Sequence, residues 1–230
     1  EGGGGGGTGE GTMGAVKLDN MTFDKVVGLP GFATLVKFDS AYPYGEKQDE
    51  FRTLCPLAHK VPGLFVGEVQ VSDYGDKEND DLRERFGLAA ADFPVYLLFR
   101  GPGDMIKYSG AVTAADISSW LRRKGVKMPA VGTIAEFDEI AARFATGVSM
   151  DKDIEAAQKM LDGDFKDEPK AAMYVKIMKT CKQKGLGYIK TESARLEKIL
   201  AGSLSEAKRG ELSDKARVLG MFEVAPEGEL

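Results

Sequence analysis

A chain of 230 residues with 43% hydrophobic content is long enough to bury the cores of one or two ordinary domains. Its 31 basic and 36 acidic side chains leave a net charge of −5, which argues against a nucleic-acid partner, since that needs a concentrated basic surface. The longest unbroken apolar run, Val95 to Phe99, is far short of a membrane span, and a single histidine, His59, removes most zinc sites and Ser-His-Asp arrangements. Two cysteines, Cys55 and Cys181, form no motif and say nothing about compartment. Residue 1 is not Met and no signal-type segment opens the chain. That fits either a trimmed cytosolic protein or a secretory-pathway protein after cleavage.

Residues 1–16 are mostly glycine, the residue that loses most entropy on ordering, and are expected to form a disordered arm. Leu18 to Val27 reads as a short element counted as a strand, and Leu29-Pro30-Gly31 as a turn. Thr34–Asp39 alternates as a strand. Glu46–His59 has Phe51, Leu54, Leu57 and Ala58 at helical spacing, with Pro56 expected to kink or shorten the helix. A strand at Leu64–Val71, a short helix at Asp80–Leu88 and a buried strand at Val95–Phe99 follow. Gly101-Pro-Gly103 then turns the chain into a hairpin at Met105–Ser109, and Thr113-x-x-Asp116 opens a helix to Arg123. The expected order is β-β-α-β-α-β-β-α.

Beyond the linker 127–132 the strand signals stop. Thr133-x-x-Glu136 predicts a capped helix, and further helices are expected at Met150–Leu161, Pro169–Lys182, Thr191–Leu200 and Ser205–Phe222, the last capped by Ser203-x-x-Glu206. Five short amphipathic helices can bury their stripes only against one another, so residues 133–223 form a small all-α domain. The chain thus divides into an arm (1–16), an α/β domain (17–126), a linker (127–132), a helical domain (133–223) and a tail (224–230).

The stretch with chemical promise is Val36-Lys-Phe-Asp-Ser-Ala-Tyr-Pro-Tyr-Gly-Glu-Lys47, a strand that turns into a helix N-terminus. The α/β order, with Phe93-Pro94 just ahead of a core strand, resembles the thioredoxin fold, in which that proline is cis and faces this corner. The two sulfur positions of a Cys-x-x-Cys motif would fall on Pro43 and Glu46, so disulfide exchange is excluded there. Tyr42 and Tyr44 stand in their place. An exposed tyrosine offers a large apolar face and a hydroxyl, which suits peptide binding, although one ring could pack down as support.

Three segments carry a closer resemblance. They are residues 36–47; Val71-Ser-Asp-Tyr-Gly-Asp-Lys-Glu-Asn79, with Phe93-Pro94 and Leu97–Arg100; and, in the helical part, Gly187-Tyr188, Glu192, Arg195-Leu196, Leu204-Ser205, Lys208, Glu211-Leu212, Lys215 and Leu219. Together they make the chain similar to the PDI-D family, the redox-inactive endoplasmic-reticulum relatives of protein disulfide isomerase. The resemblance implies a dimeric chaperone or escort of the endoplasmic-reticulum lumen that binds unfolded or partly folded secretory clients without a cofactor. By motif it points to Tyr42 and Tyr44 as client-binding, with Pro43, Glu46, Lys47 and Pro94 shaping the surface. It also implies homodimerisation near Leu18-Asp19 and a helical domain that contributes to client binding and release. Asp19 could be a partly buried carboxylate at that seam or a plain exposed cap. The C-terminal Glu227-Gly228-Glu229-Leu230 resembles the family's retention signal, which a KDEL-type receptor reads, with Gly228 in place of an acidic residue.

Two enzymatic readings compete. A glutathione transferase shares the two-domain plan, and Tyr42 could activate a thiol, but the turn after Arg100, Gly-Pro-Gly-Asp followed by Met-Ile-Lys-Tyr, lacks the paired acidic residue and Ser that such enzymes set beside the cofactor. A redox role for Cys55 alone is disfavoured because it lies well down its helix, where a buried inert thiol is expected. The Asp73–Lys77 loop reads as a solvated turn rather than a cation site.

Overall fold

The computed structural model describes residues 10–101 and 103–223. Five strands, β1 (Val16–Lys17), β2 (Ala33–Ser40), β3 (Leu64–Val71), β4 (Val95–Gly101) and β5 (Asp104–Lys107), form a sheet in the order β1-β3-β2-β4-β5. β1, β3 and β2 run parallel, with Lys37 beside Glu68, while β4 is antiparallel to β2 and β5 antiparallel to β4. The first seven residues of β2 are buried, as a central strand covered on both faces requires.

Helices α1 (Phe23–Val26), α2 (Glu46–His59), α3 (Asp80–Arg85) and α4 (Ala114–Arg123) follow or separate the strands. On one sheet face the rings of Phe23, Phe38, Phe86 and Phe99 meet in tilted and edge-on pairs with centroids 5.3–6.2 Å apart. Leu18, Val36, Val69 and Leu97 fill the same cluster. On the other face α2 brings Phe51 to Tyr96, 6.0 Å between centroids. The thioredoxin-like α/β architecture is therefore present, and Phe93-Pro94 is cis.

Several expectations need correction. The first element is not a strand over Leu18–Val27: only Val16–Lys17 pair with β3. Asp19 then stops the strand, because its Oδ1 accepts from the Met21 and Thr22 amides, each at 2.9 Å, and turns the chain into α1. The arm is not free to residue 16, since Thr12 is buried and hydrogen-bonded to Glu68 on β3, while residues 1–9 lie outside the described residues. α2 runs through Pro56 to His59, its buried Phe51, Leu54, Cys55 and Ala58 holding the last turns to the sheet.

The expected caps at Thr133 and Ser203 are not formed. Ile134 and Ser205 occupy the two N-cap positions without a side-chain bond. Thr133 instead donates to Asp138 at 2.8 Å, and the Tyr174 hydroxyl donates to the other oxygen of that carboxylate. Burial pushes the Asp138 carboxyl above its ordinary range, against the pull of these two donors.

The helical part consists of α5 (Ala135–Ala145), α6 (Met150–Asp162), α7 (Pro169–Lys184), α8 (Gly187–Leu200) and α9 (Glu206–Gly220). α7 packs against the other four, burying Ala171, Tyr174, Val175, Ile177, Met178 and Cys181. By compactness, residues 10–108 and 112–114 form one unit, and 109–111 and 115–223 the other. Most of α4 thus groups by contact with the helices. Two ion pairs hold it there: Arg217 donates to Asp116 at 2.9 Å, and Lys124 lies 3.3 Å from Glu197.

α8 and α9 are joined at Glu192, whose carboxylate accepts two bonds from Arg195 (2.7 and 2.8 Å) and one from Lys215 (2.6 Å). The Arg195 bonds, and then those of Lys215, hold its pKa at about 2, below its ordinary 4.5, against desolvation. A depressed carboxylate stabilises the fold above its unfolded pKa and loses that effect as pH falls through the folded one. Glu192→Gln is expected to cost about 1 kcal/mol at neutral pH, discounted for the exposure of its partners. In urea unfolding, its gap to wild type should close between pH 4.5 and 2. Gly67 faces Leu18 so closely that a Cβ would lie 2.6 Å from Leu18 Cδ1. Gly67→Ala is expected to lower stability by about 1–3 kcal/mol in the same measurement.

Candidate functional site

β2 ends at Ser40, and α2 begins after five intervening residues. Gly45 makes the entry at φ +81°, a conformation that favours glycine, and its carbonyl accepts from the Gln48 and Asp49 amides at 3.0 and 3.1 Å. Glu46 and Asp49 lie in the first turn, where negative charge complements the unpaired helix amides. Opposite this corner the cis Phe93-Pro94 step leads into β4. Between them lies an open groove of ≈ 330 Å³, lined by Asp39, Ser40, Pro43, Tyr44, Glu46, Lys47, Phe93 and Pro94.

Five of the six residues expected at a client site, Pro43, Tyr44, Glu46, Lys47 and Pro94, therefore line one surface. Tyr44 is 90% exposed, presenting its ring to solvent. Tyr42 is absent from the lining. It is 54% exposed, and its hydroxyl hydrogen-bonds that of Tyr74, which is exposed to the same degree. That bond, with desolvation and the nearby Asp73 and Glu78, raises the pKa of Tyr74. The two tyrosines of the motif thus serve different neighbours, and Tyr74 adds a third ring to this end of the molecule. Thirty-two residues separate Tyr42 from Tyr74, so no local spacing could have paired them. The Asp73–Lys77 loop is shaped from within, Ser72 donating to the Tyr74 carbonyl at 2.9 Å.

Under the corner, Lys37 is 1% exposed. Its ammonium lies 2.7 Å from Asp39 Oδ2, donates to Gln48 Oε1 and sits 4.7 Å from the centroid of the Phe51 ring. Sequence pattern alone marked Lys37 only as the polar member of an alternating strand.

Leu18 and Asp19, the residues expected at a dimer seam, separate. Leu18 is fully buried in the chain's own core, while Asp19 is exposed and engaged with Met21 and Thr22. The Thr22 hydroxyl, and after it the Thr22 and Met21 amides, lower the Asp19 pKa against desolvation. An open cavity of ≈ 700 Å³ beside Asp19 is lined also by Lys17, Asp76, Lys77 and Asp81. Residues Glu227, Gly228, Glu229 and Leu230 lie outside the described residues.

The groove presents no nucleophilic thiol. Cys55 is nine residues beyond Glu46, roughly 13 Å along the helix, and fully buried, as is Cys181. Burial, and next the charge of Glu68, push the Cys55 thiol up to about 12 against the opposing Lys37, and burial pushes Cys181 to about 11. His59 is exposed in the last turn of α2. Among the described residues no cluster of His, Cys, Asp and Glu could hold a metal ion, and no helix is long and apolar enough to cross a membrane.

Two family models match the chain: "ERp29, N-terminal domain" over residues 11–129 and "Endoplasmic reticulum protein ERp29, C-terminal domain" over residues 132–222. Protein windbeutel of Drosophila melanogaster is 31% identical over 232 residues, covering 94% of this chain and 90% of its own length. Probable protein disulfide-isomerase A6 of Medicago sativa is 27% identical over 90% of this chain but only 59% of its own. Among solved structures, the first thioredoxin domain of mouse Protein disulfide-isomerase A4 matches at a TM-score of 0.41 and 16% identity, over 56% of this chain and 89% of that one.

The burial of both thiols has a direct readout. At pH 8 the native protein is expected to react with a disulfide reagent at less than about a hundredth of the rate of a free thiol. Both cysteines should titrate in full once urea unfolds it.

Proposed function

The chain belongs to the ERp29 family of protein disulfide isomerase relatives, and from that premise we propose that it is a non-enzymatic chaperone or escort of the endoplasmic-reticulum lumen. It binds unfolded or partly folded secretory proteins and aids their folding or export without disulfide exchange. The observation that carries the reading is the groove at the corner. Where a thiol pair would stand in a dithiol relative, Pro43, the exposed Tyr44 ring and the Phe93-Pro94 step offer apolar and hydrogen-bonding surface to an extended chain. Tyrosine anchors such contacts at small entropy cost, and the flanking Glu46 and Lys47 supply a charged rim.

The rest of the family reading is proposed with it. Homodimerisation runs through the first domain at the surface around Asp19, with the buried Leu18 supporting that turn from inside. The helical domain contributes to client binding and release. Glu227-Gly228-Glu229-Leu230 addresses the protein to a KDEL-type receptor. The conjugation chemistry considered for Tyr42 has little support, because the hydroxyl it would need is engaged with Tyr74.

The test is the affinity of a reduced, alkylated secretory polypeptide for the wild type and for Tyr44→Ala, each shown by circular dichroism to be folded. Tyr44→Ala is expected to weaken binding about tenfold, the size of a modest aromatic hot spot. Neither protein should reduce insulin or conjugate glutathione. Unchanged affinity in Tyr44→Ala would remove the groove from the proposal and move the search to the helical domain, and turnover in either assay would make the protein an enzyme.

A further inference from the structure

The segment just ahead of β1 lies on the α2 flank of the sheet. Thr12 is 7% exposed, and its amide and hydroxyl donate to the two carboxylate oxygens of Glu68, itself 2% exposed. Gln70 Nε2 donates to the Glu10 carbonyl at 3.3 Å. The segment lies close enough that a Cβ on Gly11 would be 3.1 Å from Glu68 Oε1, and one on Gly14 would be 3.2 Å from Cys55 Cβ. Residue 11 therefore lies directly over a buried carboxylate, and residue 14 against the Cβ and backbone of the buried Cys55.

Little apolar burial holds this segment down. Met13 is 90% exposed, Val16 is 45% exposed, and β1 is two residues long. Its hold is polar and concentrated at Thr12, which is the profile of an element that opens locally before the rest of the fold. The same residue connects inward. Thr12 Oγ1 accepts from Gln48 Nε2 at 3.0 Å, Gln48 Oε1 accepts from Lys37, and Lys37 pairs with Asp39 at 2.7 Å. Asp39 lines the groove, and Gln48 sits on the turn of α2 that presents Glu46 and Lys47 to it.

We propose that residues 10–16 form a detachable strap latched by Thr12, and that its docking sets the geometry of the groove through the buried relay Thr12, Gln48, Lys37 and Asp39. Docked, the strap satisfies Glu68 and holds the Gln48 amide in the orientation that receives Lys37. Released, it uncovers Glu68 and Cys55, and Gln48 is free to turn away from Lys37. The strap itself rests on geometry alone, whereas its effect on client binding rests on the function proposed for the groove.

The test uses full-length wild type, Thr12→Val, which keeps the shape and removes the hydroxyl, Thr12→Ser, which restores it, and a chain lacking residues 1–12. Alkylation by N-ethylmaleimide at pH 8 is followed at Cys55 and Cys181 separately by peptide mass spectrometry. Cys55 labelling is expected to rise at least tenfold in Thr12→Val and in the truncated chain and to stay near wild type in Thr12→Ser, with Cys181 unchanged throughout. Cys55 rates equal to wild type in both the valine and truncated proteins would overturn the strap. So would equal acceleration at Cys181, which signals general unfolding. For the coupling, Thr12→Val is expected to bind the client polypeptide about threefold more weakly, and an open Cys55 with unchanged affinity overturns it. If Tyr44→Ala also leaves affinity unchanged, the groove reading has failed, and the Cys55 rates still decide the strap.

Discussion

A lysine ammonium in the interior of a sheet must be surrounded by partners, because an unpaired charge there costs more than most single contacts return. Lys37 occupies the central strand, and the corner is arranged around it. Asp39 lies two residues further along the same strand and so shares its face, which puts a carboxylate 2.7 Å away. Gln48 supplies a neutral acceptor from the first turn of α2, and Phe51 supplies a ring face from the next. Satisfying one cation therefore fixes the end of β2 against the start of α2. The groove is the outer surface of that junction.

The helical unit is built on the opposite principle. Its centre, α7, is apolar around much of its circumference, and the ionic contacts sit at its margins, where Glu192 ties α8 to α9 and Asp138 ties the approach to α5 to Tyr174 on α7. An apolar core of this kind tolerates small adjustments of packing better than a relay of buried hydrogen bonds does. Precision is thus concentrated in the first unit, beneath the surface proposed to meet clients.

Much of this was legible in the sequence, and the exceptions have physical causes. Period and punctuation gave the helices and the central strands, since Phe51, Leu54 and Ala58 or Phe137, Ile140 and Phe144 can share a face in only one way. The corner from Tyr42 to Lys47 was visible as a strand running into a helix start, with Pro43 and Glu46 rather than cysteine at the two thiol positions. The misses came from side chains that act at a distance. Asp19 turned an expected strand into a helix entry, Thr133 bonded Asp138 in place of capping its own helix, and Thr12 ordered a glycine-rich segment by reaching a carboxylate 56 residues away. Composition pointed to disorder there and could not foresee the one polar latch. The pairing of Tyr42 with Tyr74 was hidden for the same reason.

The replacement of sulfur by Pro43 and Glu46 bears on time as well as chemistry. A dithiol chaperone can hold its client as a mixed disulfide, so the duration of its grip depends on the redox potential of the compartment and on a resolving thiol. A groove of tyrosine, proline and a charged rim has no covalent state. On the reading proposed for this groove, residence time is a simple off-rate, set by how well a client segment fits and indifferent to the ratio of reduced to oxidised glutathione. On that reading, the same exposed segment is held equally long whether the client's cysteines are free or paired.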